Sequence, residues 1–334
     1  MQLGIGLFTC QQRPDDDRET SEIYDEMLEL GEVIDTAGLD SAWVSEHHFL
    51  DDDYLSGVTP ALGALAAVTD DIEIGSCIAL APLYDSIRLA EDIATVDQIS
   101  GGRTTLGMAI GSNVSEFDAF GIPDDERAER LADTVDTLRG AWSDGPLGYD
   151  PEFHDISSDI SVTPKPAHDV PLMLGGASRP AVRRAARTAD AWCAPSSLSV
   201  EGVRKRVEDI RNVRDDEDIE GDFQVYVLQH GFVGDSREDA WERMRDGYLY
   251  IQRRYEEIFS GETVSELDED RKRELKEQAI FGTPEQVTAE LETYREALGD
   301  DLHFIFRTYH PGTGTQEMAE CIRRLGEEVQ PKVS

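Results

Sequence analysis

Eight times along this chain a short apolar run gives way to an amphipathic or capped segment, and that alternation limits the fold more than any other feature. The runs fall at residues 3–9, 41–45, 72–80, 104–110, 171–174, 191–194, 223–233 and 303–307. Helical stretches follow at 20–37, 60–68, 86–99, 128–142, 180–188 and 200–213, with Gly38 and Gly101-Gly102 as stop signals. A loop or hairpin is expected around 153–166. Eight βα repeats in 334 residues predict one α/β domain spanning 1–334, a closed (β/α)8 TIM barrel, in preference to an open sheet with a small helical domain. Residues 236–281 break the rhythm as a long, charged, helical insertion after the seventh strand, placed to lie over the mouth as a lid or a surface bundle. Gly282-Thr283-Pro284-Glu285-Gln286 then starts a helix, with Thr283 as cap, Pro284 in the first turn and Gln286 completing a capping box.

Charge narrows the partners. The formal net charge is −39, from 70 acidic and 31 basic residues, and only Lys165, Lys205, Lys272, Lys276 and Lys332 are lysines. Such a surface repels phosphodiester backbones and anionic lipid, so neither nucleic acid nor a membrane is an expected partner. It is similar to the acid-rich, lysine-poor surfaces of proteins from halophilic sources, where molar salt screens the self-repulsion. Destabilisation at low salt is expected. Cys10, Cys77, Cys193 and Cys321 are far apart and lack metal-ligand spacing, which favours reduced core thiols and a cytoplasmic protein. No apolar stretch approaches the roughly 18 residues that a membrane span needs.

Barrel enzymes place their chemistry at the C-terminal ends of the strands. Here those ends hold Glu46, His47 and His48; Cys77 and Ile78; Ser112 and Asn113; Gly175, Gly176, Ala177 and Ser178; Pro195; His230; and Arg307, Tyr309 and His310. Three adjacent polar groups straight after an apolar strand are costly unless a pocket uses them, so Glu46, His47 and His48 are the candidate catalytic residues. Neighbouring residues of a strand face opposite ways, so His47 and His48 have different surroundings. Arg307, Tyr309 and His310 are placed at the substrate mouth by position alone. Gly175-Gly176-Ala177-Ser178 leads into a helix, where small residues and free N–H groups suit a phosphate. A tight turn needing glycine explains the same residues equally well. Carboxylates for a metal are few, and no nucleophile is paired with a base, so metal-dependent or covalent hydrolysis is disfavoured.

Several motifs occur together in order: Trp43-Val44-Ser45-Glu46-His47-His48-Phe49, Leu89-Ala90-Glu91-Asp92-Ile93, Asp97-Gln98-Ile99-Ser100-Gly101-Gly102-Arg103, Phe120-Gly121, Gly175-Gly176 and Gly282-Thr283-Pro284-Glu285. In this the chain resembles the bacterial luciferase-like monooxygenase superfamily from residue 1 to about 329. The resemblance implies a barrel that binds FMN or a deazaflavin coenzyme, mostly as a dimer. Many members use reduced flavin and dioxygen to insert one oxygen atom; others transfer hydride to or from a deazaflavin.

By position, the resemblance implies His47 as the acid/base near the flavin and His48 as its neighbour; Glu46, next to it in sequence, is expected to orient His47. Cys77-Ile78 matches a non-prolyl cis peptide against the flavin ring, and Gly176, Ala177 and Ser178 match the phosphate cradle, with Ser112 and Asn113 as helpers. Ile110 stands where luciferase has a phosphate-binding arginine, Ala109 where it has a reactive cysteine, and Pro195 where it has a ring-contacting tryptophan, so light emission and an aldehyde substrate are not expected. The leading expectation is a two-component monooxygenase, a homodimer as the resemblance implies, fed reduced FMN by a separate flavin reductase. Its rivals are a deazaflavin-dependent hydride-transfer enzyme and a non-catalytic barrel subunit of a heterodimer.

Overall fold

The computed structural model describes residues 1–153 and 156–334. Eight parallel strands form the barrel: β1 Gln2–Phe8, β2 Ser41–Val44, β3 Glu73–Ser76, β4 Thr104–Ala109, β5 Leu172–Gly175, β6 Ala191–Ala194, β7 Gln224–Val233 and β8 Leu302–Arg307. The sheet closes because β8 pairs with both β1 and β7, running from Gln2↔His303 to Gly6↔Arg307 on one side and from Leu302↔Val225 to Arg307↔His230 on the other. Helices cover the outside: α1 Thr20–Thr36, α2 Val58–Val68, α3 Ser86–Ser100, α4 Val114–Phe120, α5 Arg127–Trp142, α6 Arg179–Thr188, α7 Val200–Asp216, α8 Arg237–Ser260, α9 Glu269–Gln278, α10 Pro284–Leu298, α11 Thr315–Arg324 and α12 Gln330–Val333. Among the described residues no helix is long and apolar enough to cross a membrane.

Helix starts follow cap chemistry. Asp85, Ser178, Ser199, Ser236 and Asp268 each accept a first-turn backbone N–H, and Thr283 with Gln286 forms the expected capping box. The Asp97 to Arg103 motif is a structural clamp at the N-terminal end of the barrel. Asp97 accepts the Ala167 N–H at 2.7 Å, and the Arg103 guanidinium reaches the carbonyls of Ile72 (2.6 Å) and Thr69 (2.8 Å).

Strand alternation sorts the core into two layers. Leu3, Ile5, Ala42, Val44, Leu172, Leu174, Phe304 and Phe306 face outward into the main core beneath the helices. Leu7, Trp43, Cys77, Met173, Cys193, Tyr226, Leu228 and Ile305 face inward and fill the lumen, Leu7 out of step with Leu3 and Ile5 because the β1 register shifts between Ile5 and Phe8. Below this plug, Ser41 Oγ sits 2.7 Å from His303 Nε2 and accepts the Trp43 indole N–H at 2.7 Å, while the Tyr226 hydroxyl donates to Glu73 at 3.0 Å. Above it the inward positions are Thr9, Ser45, His47, His230 and Arg307.

The structure departs from the expected pattern in three places. The third strand, expected to run unbroken over 72–80, stops at Ser76 and resumes at Ala79–Leu80, with the Cys77-Ile78 peptide cis between. Helix α4, Val114–Phe120, lies where the sequence pattern marked no element. The 236–281 segment divides into α8, α9 and a short strand, Ile280–Gly282, that extends pairing at the far end of β7 from Gly231↔Ile280 to Val233↔Gly282. The 153–166 loop or hairpin includes residues 154 and 155, which lie outside the described residues; flanking it, the Leu147 and Gly148 N–H groups donate to Ile160 (2.8 Å) and Ser158 (3.0 Å).

Candidate active site

The end of β2 separates its two histidines as alternation requires. His47 follows Trp43 and Ser45 onto the lumen side, its ring edge-on to Tyr54 with centroids 4.9 Å apart. Glu46 and His48 turn the other way. Glu46, 2% exposed, takes His48 Nε2 at 2.8 Å and the Tyr84 hydroxyl at 2.8 Å on one oxygen, and the Leu80 backbone N–H at 2.6 Å on the other. Burial, then the nearby Glu46 carboxylate, pushes the Tyr84 phenol well above its usual range. Glu46 therefore anchors the chain after Cys77-Ile78 and does not touch His47.

The carboxylate that orients His47 is Glu116, and the expectation for Glu46 is corrected accordingly. Glu116 Oε1 accepts from His47 Nδ1 at 2.9 Å and from the His48 backbone N–H at 2.7 Å, and the residue is fully buried. A carboxylate on Nδ1 fixes that nitrogen as the donor and leaves Nε2 facing away from the pair. Nε2 makes no hydrogen bond among the described residues. Sequence reasoning missed Glu116 because α4 has only seven residues. A signal was present: Asn113 caps the helix through Ser115 (3.3 Å to its N–H), and Glu116 stands three residues after that cap. Asn113 thus spends its side-chain oxygen on the helix. Ser112 and Asn113 line a groove of about 1060 Å³ together with Asp52, Tyr250 and Phe259.

Helix α8 lies over this end of the barrel. Its Tyr255 hydroxyl meets the Tyr54 hydroxyl at 3.2 Å and accepts from Arg307 Nη1 at 3.0 Å, and its Gln252 side-chain nitrogen sits 3.1 Å from His230 Nε2. Tyr54 in turn donates to Ser45 at 3.1 Å. A continuous polar chain therefore runs from Arg307 through Tyr255 to the tyrosine on which His47 packs.

The three residues expected at a substrate mouth are buried rather than on a rim. Arg307 is 1% exposed and points inward because it follows Ile305 by two residues on β8. His310 is fully buried and stacks on His230 at 5.7 Å. Tyr309 faces away from the lumen, edge-on to Phe8 at 5.5 Å, with its hydroxyl on Glu26. Burial, with the Arg307 charge nearby, lowers the His310 imidazole to about 3 and holds His230 well below its usual value.

The Gly175 to Ser178 turn has the features of an anion cradle. Gly176 has φ 121°, in the region that favours glycine, and a Cβ on Gly175 would lie 2.1 Å from Ile78 Cδ1. The Gly176 carbonyl accepts from the Trp192 indole at 2.9 Å and that of Ala177 from Arg206 at 3.1 Å, while Ser178 caps α6. With those carbonyls held by the protein, the turn offers small residues at the start of a ten-residue helix, which suits a phosphate ester. Ile78 lies beside this turn, so the cis peptide and the cradle adjoin. Cys77 and Cys193 face each other across the lumen with sulfurs 3.4 Å apart, and hydrogen bonding to Cys77 with burial pushes the Cys193 thiol well up. Pro195, half-buried, accepts the Leu198 N–H at 3.1 Å and brings no aromatic ring. The small-residue turn at 176–178 and the adjoining Cys77-Ile78 segment suit a flavin-type cofactor that carries a phosphate ester.

Comparison with known proteins bears on the family and the fold. Over 99% of its length the chain is 25% identical to the oxygenase component of the flavin-dependent trigonelline monooxygenase of Acinetobacter baylyi, covering 96% of that protein. Among solved structures, a monooxygenase from Streptomyces bottropensis superposes with a TM-score of 0.89 at 22% identity, over 100% of both chains. The coenzyme F420-dependent tetrahydromethanopterin reductase of Methanopyrus kandleri shares the fold with a TM-score of 0.75 at 17% identity, over 100% of this chain and 99% of that one. The luciferase-like monooxygenase family model matches residues 1–301, and the chain belongs to that family.

Proposed function

We propose that this protein is the oxygenase component of a two-component flavin-dependent monooxygenase, which takes reduced FMN from a separate reductase and adds one oxygen atom to a small organic substrate. The observation that carries the reading is the Glu116–His47 pair: a fully buried carboxylate sets the imidazole so that Nε2 is free to take and return a proton. Reduced FMN supplies the two electrons with which dioxygen is split between product and water. The chain's own residues bind and position: Gly176 to Ser178 hold the phosphate, Cys77-Ile78 backs the ring, and Glu46 keeps that segment in place through Leu80. Tyr54, Tyr255 and helix α8 roof the site and exclude water. In this reading the 236–281 segment acts as a lid. The oxygenase component named for the Acinetobacter relative supports the two-component reading.

A deazaflavin-dependent hydride transfer is the second reading, favoured by the Cys77-Ile78 pair and by the F420-dependent reductase of the same fold. Isotope labelling separates them. With an added flavin reductase, NADH, FMN and ¹⁸O₂, the first reading requires label from ¹⁸O₂ in a product. Substrate turnover with a reduced deazaflavin and no label requires the second.

A further inference from the structure

Among the described residues Arg307 is the one buried guanidinium of the upper lumen, and its charge is unanswered. In a chain of net charge −39, no carboxylate among the described residues lies within ion-pair distance of it. Only Nη1 has a partner, the Tyr255 hydroxyl at 3.0 Å; Nε and Nη2 have none. Other orphaned polar atoms stand at the same strand ends: Thr9 Oγ1 just after β1, His230 Nδ1 on β7, and Thr308 Oγ1 with both His310 nitrogens after β8. The two imidazoles stay neutral beside the guanidinium. Asp52, further along the same end, is already met by Arg254 at 3.1 Å, Tyr250 at 2.9 Å and Gln11 at 2.8 Å. A buried charge without a counter-charge is strongly unfavourable, and a guanidinium fork with two free N–H groups matches the two oxygens of a carboxylate.

We propose that Arg307 receives an oxyanion of the organic substrate, so that the substrate class is small carboxylic acids held with the head group at Arg307 and the remainder toward His47. This rests on the monooxygenase reading for its chemistry, but the binding claim is separable from it. The shared Tyr54–Tyr255 pair links the two ends of such a ligand: Tyr255 touches Arg307, and His47 packs on Tyr54. The acidic surface repels such a substrate, and added salt lowers that barrier to entry.

The test is calorimetric titration of the FMN-loaded protein with butyrate and benzoate against butanol and benzyl alcohol, at constant ionic strength. The acids are expected to bind at least about tenfold tighter than the alcohols. Arg307→Met should abolish that preference while FMN affinity changes less than about twofold, and Arg307→Lys should keep part of it, since a point charge replaces the fork. Should the Met variant not fold, the Lys variant carries the test through a loss of at least about threefold in acid affinity. Equal binding of acids and alcohols by the unaltered protein overturns the proposal, as does a preference that survives in Arg307→Met. So does loss of FMN affinity alone, which would place the guanidinium on the flavin. A protein that prefers acids through Arg307 yet binds no FMN would refute the monooxygenase reading and leave this inference standing.

Discussion

The two ends of the lumen are built on the same eight strands yet treat their polar atoms in opposite ways. At the N-terminal end Ser41, Trp43, Glu73, Tyr226 and His303 bond to one another, and Tyr226 stacks on His303 at 4.6 Å. His303 Nδ1 is the one nitrogen left over there, with a Glu73 oxygen 3.6 Å away. At the C-terminal end Thr9 Oγ1, His230 Nδ1, Arg307 Nε and Nη2, Thr308 Oγ1, both His310 nitrogens and one oxygen of Glu116 are buried without hydrogen-bond partners among the described residues. Since buried polar groups are nearly always bonded to something, the first end is finished by the fold and the second by a ligand or ordered water. Stability and function are thus divided along one barrel axis.

The division can be broken by mutation. His47→Ala should lower oxygenation by about 10²–10⁴-fold while reduced FMN still binds, read by steady-state turnover and flavin fluorescence. Loss of FMN affinity would contradict the acid/base role. At the opposite end His303→Ala should cost about 2–4 kcal/mol in urea unfolding, through a cavity and the stranded Ser41 hydroxyl, with turnover per folded molecule unchanged. A turnover defect there would erase the contrast. Glu116→Gln keeps an acceptor for Nδ1 but removes the charge, so turnover should fall about tenfold and the midpoint of the pH–rate profile should move. A merely structural Glu116 would lower yield and leave that profile where it was.

Acid sensitivity sharpens the comparison further. Burial depresses His230, His303 and His310 in the folded state, the last two to about 3. The unfolded chain takes up these protons near pH 6.5, so stability is fully present above that pH and declines as pH falls toward the folded values. Each histidine contributes a slope of about 1 kcal/mol per pH unit in that window. Denaturant melts between pH 7.5 and 5.5 should show the decline, and His303→Ala should flatten it by one histidine's share. Ligand at Arg307 should leave the share of His303 untouched.

The barrel was legible because its strands are apolar on both faces and its helices carry explicit caps, so eight repeats could be counted without any contact information. His47 and His48 were legible as a pair with opposite surroundings, because strand alternation is local. Their carboxylates were not assignable: Glu46 is adjacent in sequence but faces away, and Glu116 lies 69 residues from His47 on a helix too short to show periodicity. Position at the end of β8 marked Arg307, Tyr309 and His310 but gave no direction. Alternation from Ile305 turns Arg307 inward, and Tyr309, beyond the strand, packs under α1 instead. The break at Cys77-Ile78 interrupts a run whose apolar pattern alone is continuous.

The central claim is that the C-terminal end of this barrel binds reduced FMN for oxygenation. Its most direct test is an anaerobic fluorescence titration of the protein with reduced FMN and, in parallel, a reduced deazaflavin coenzyme. The account predicts tight binding of reduced FMN, weaker binding of the deazaflavin, and no loss of FMN affinity in His47→Ala. A clear preference for the deazaflavin would make this a hydride-transfer enzyme, and binding of neither would contradict the account outright.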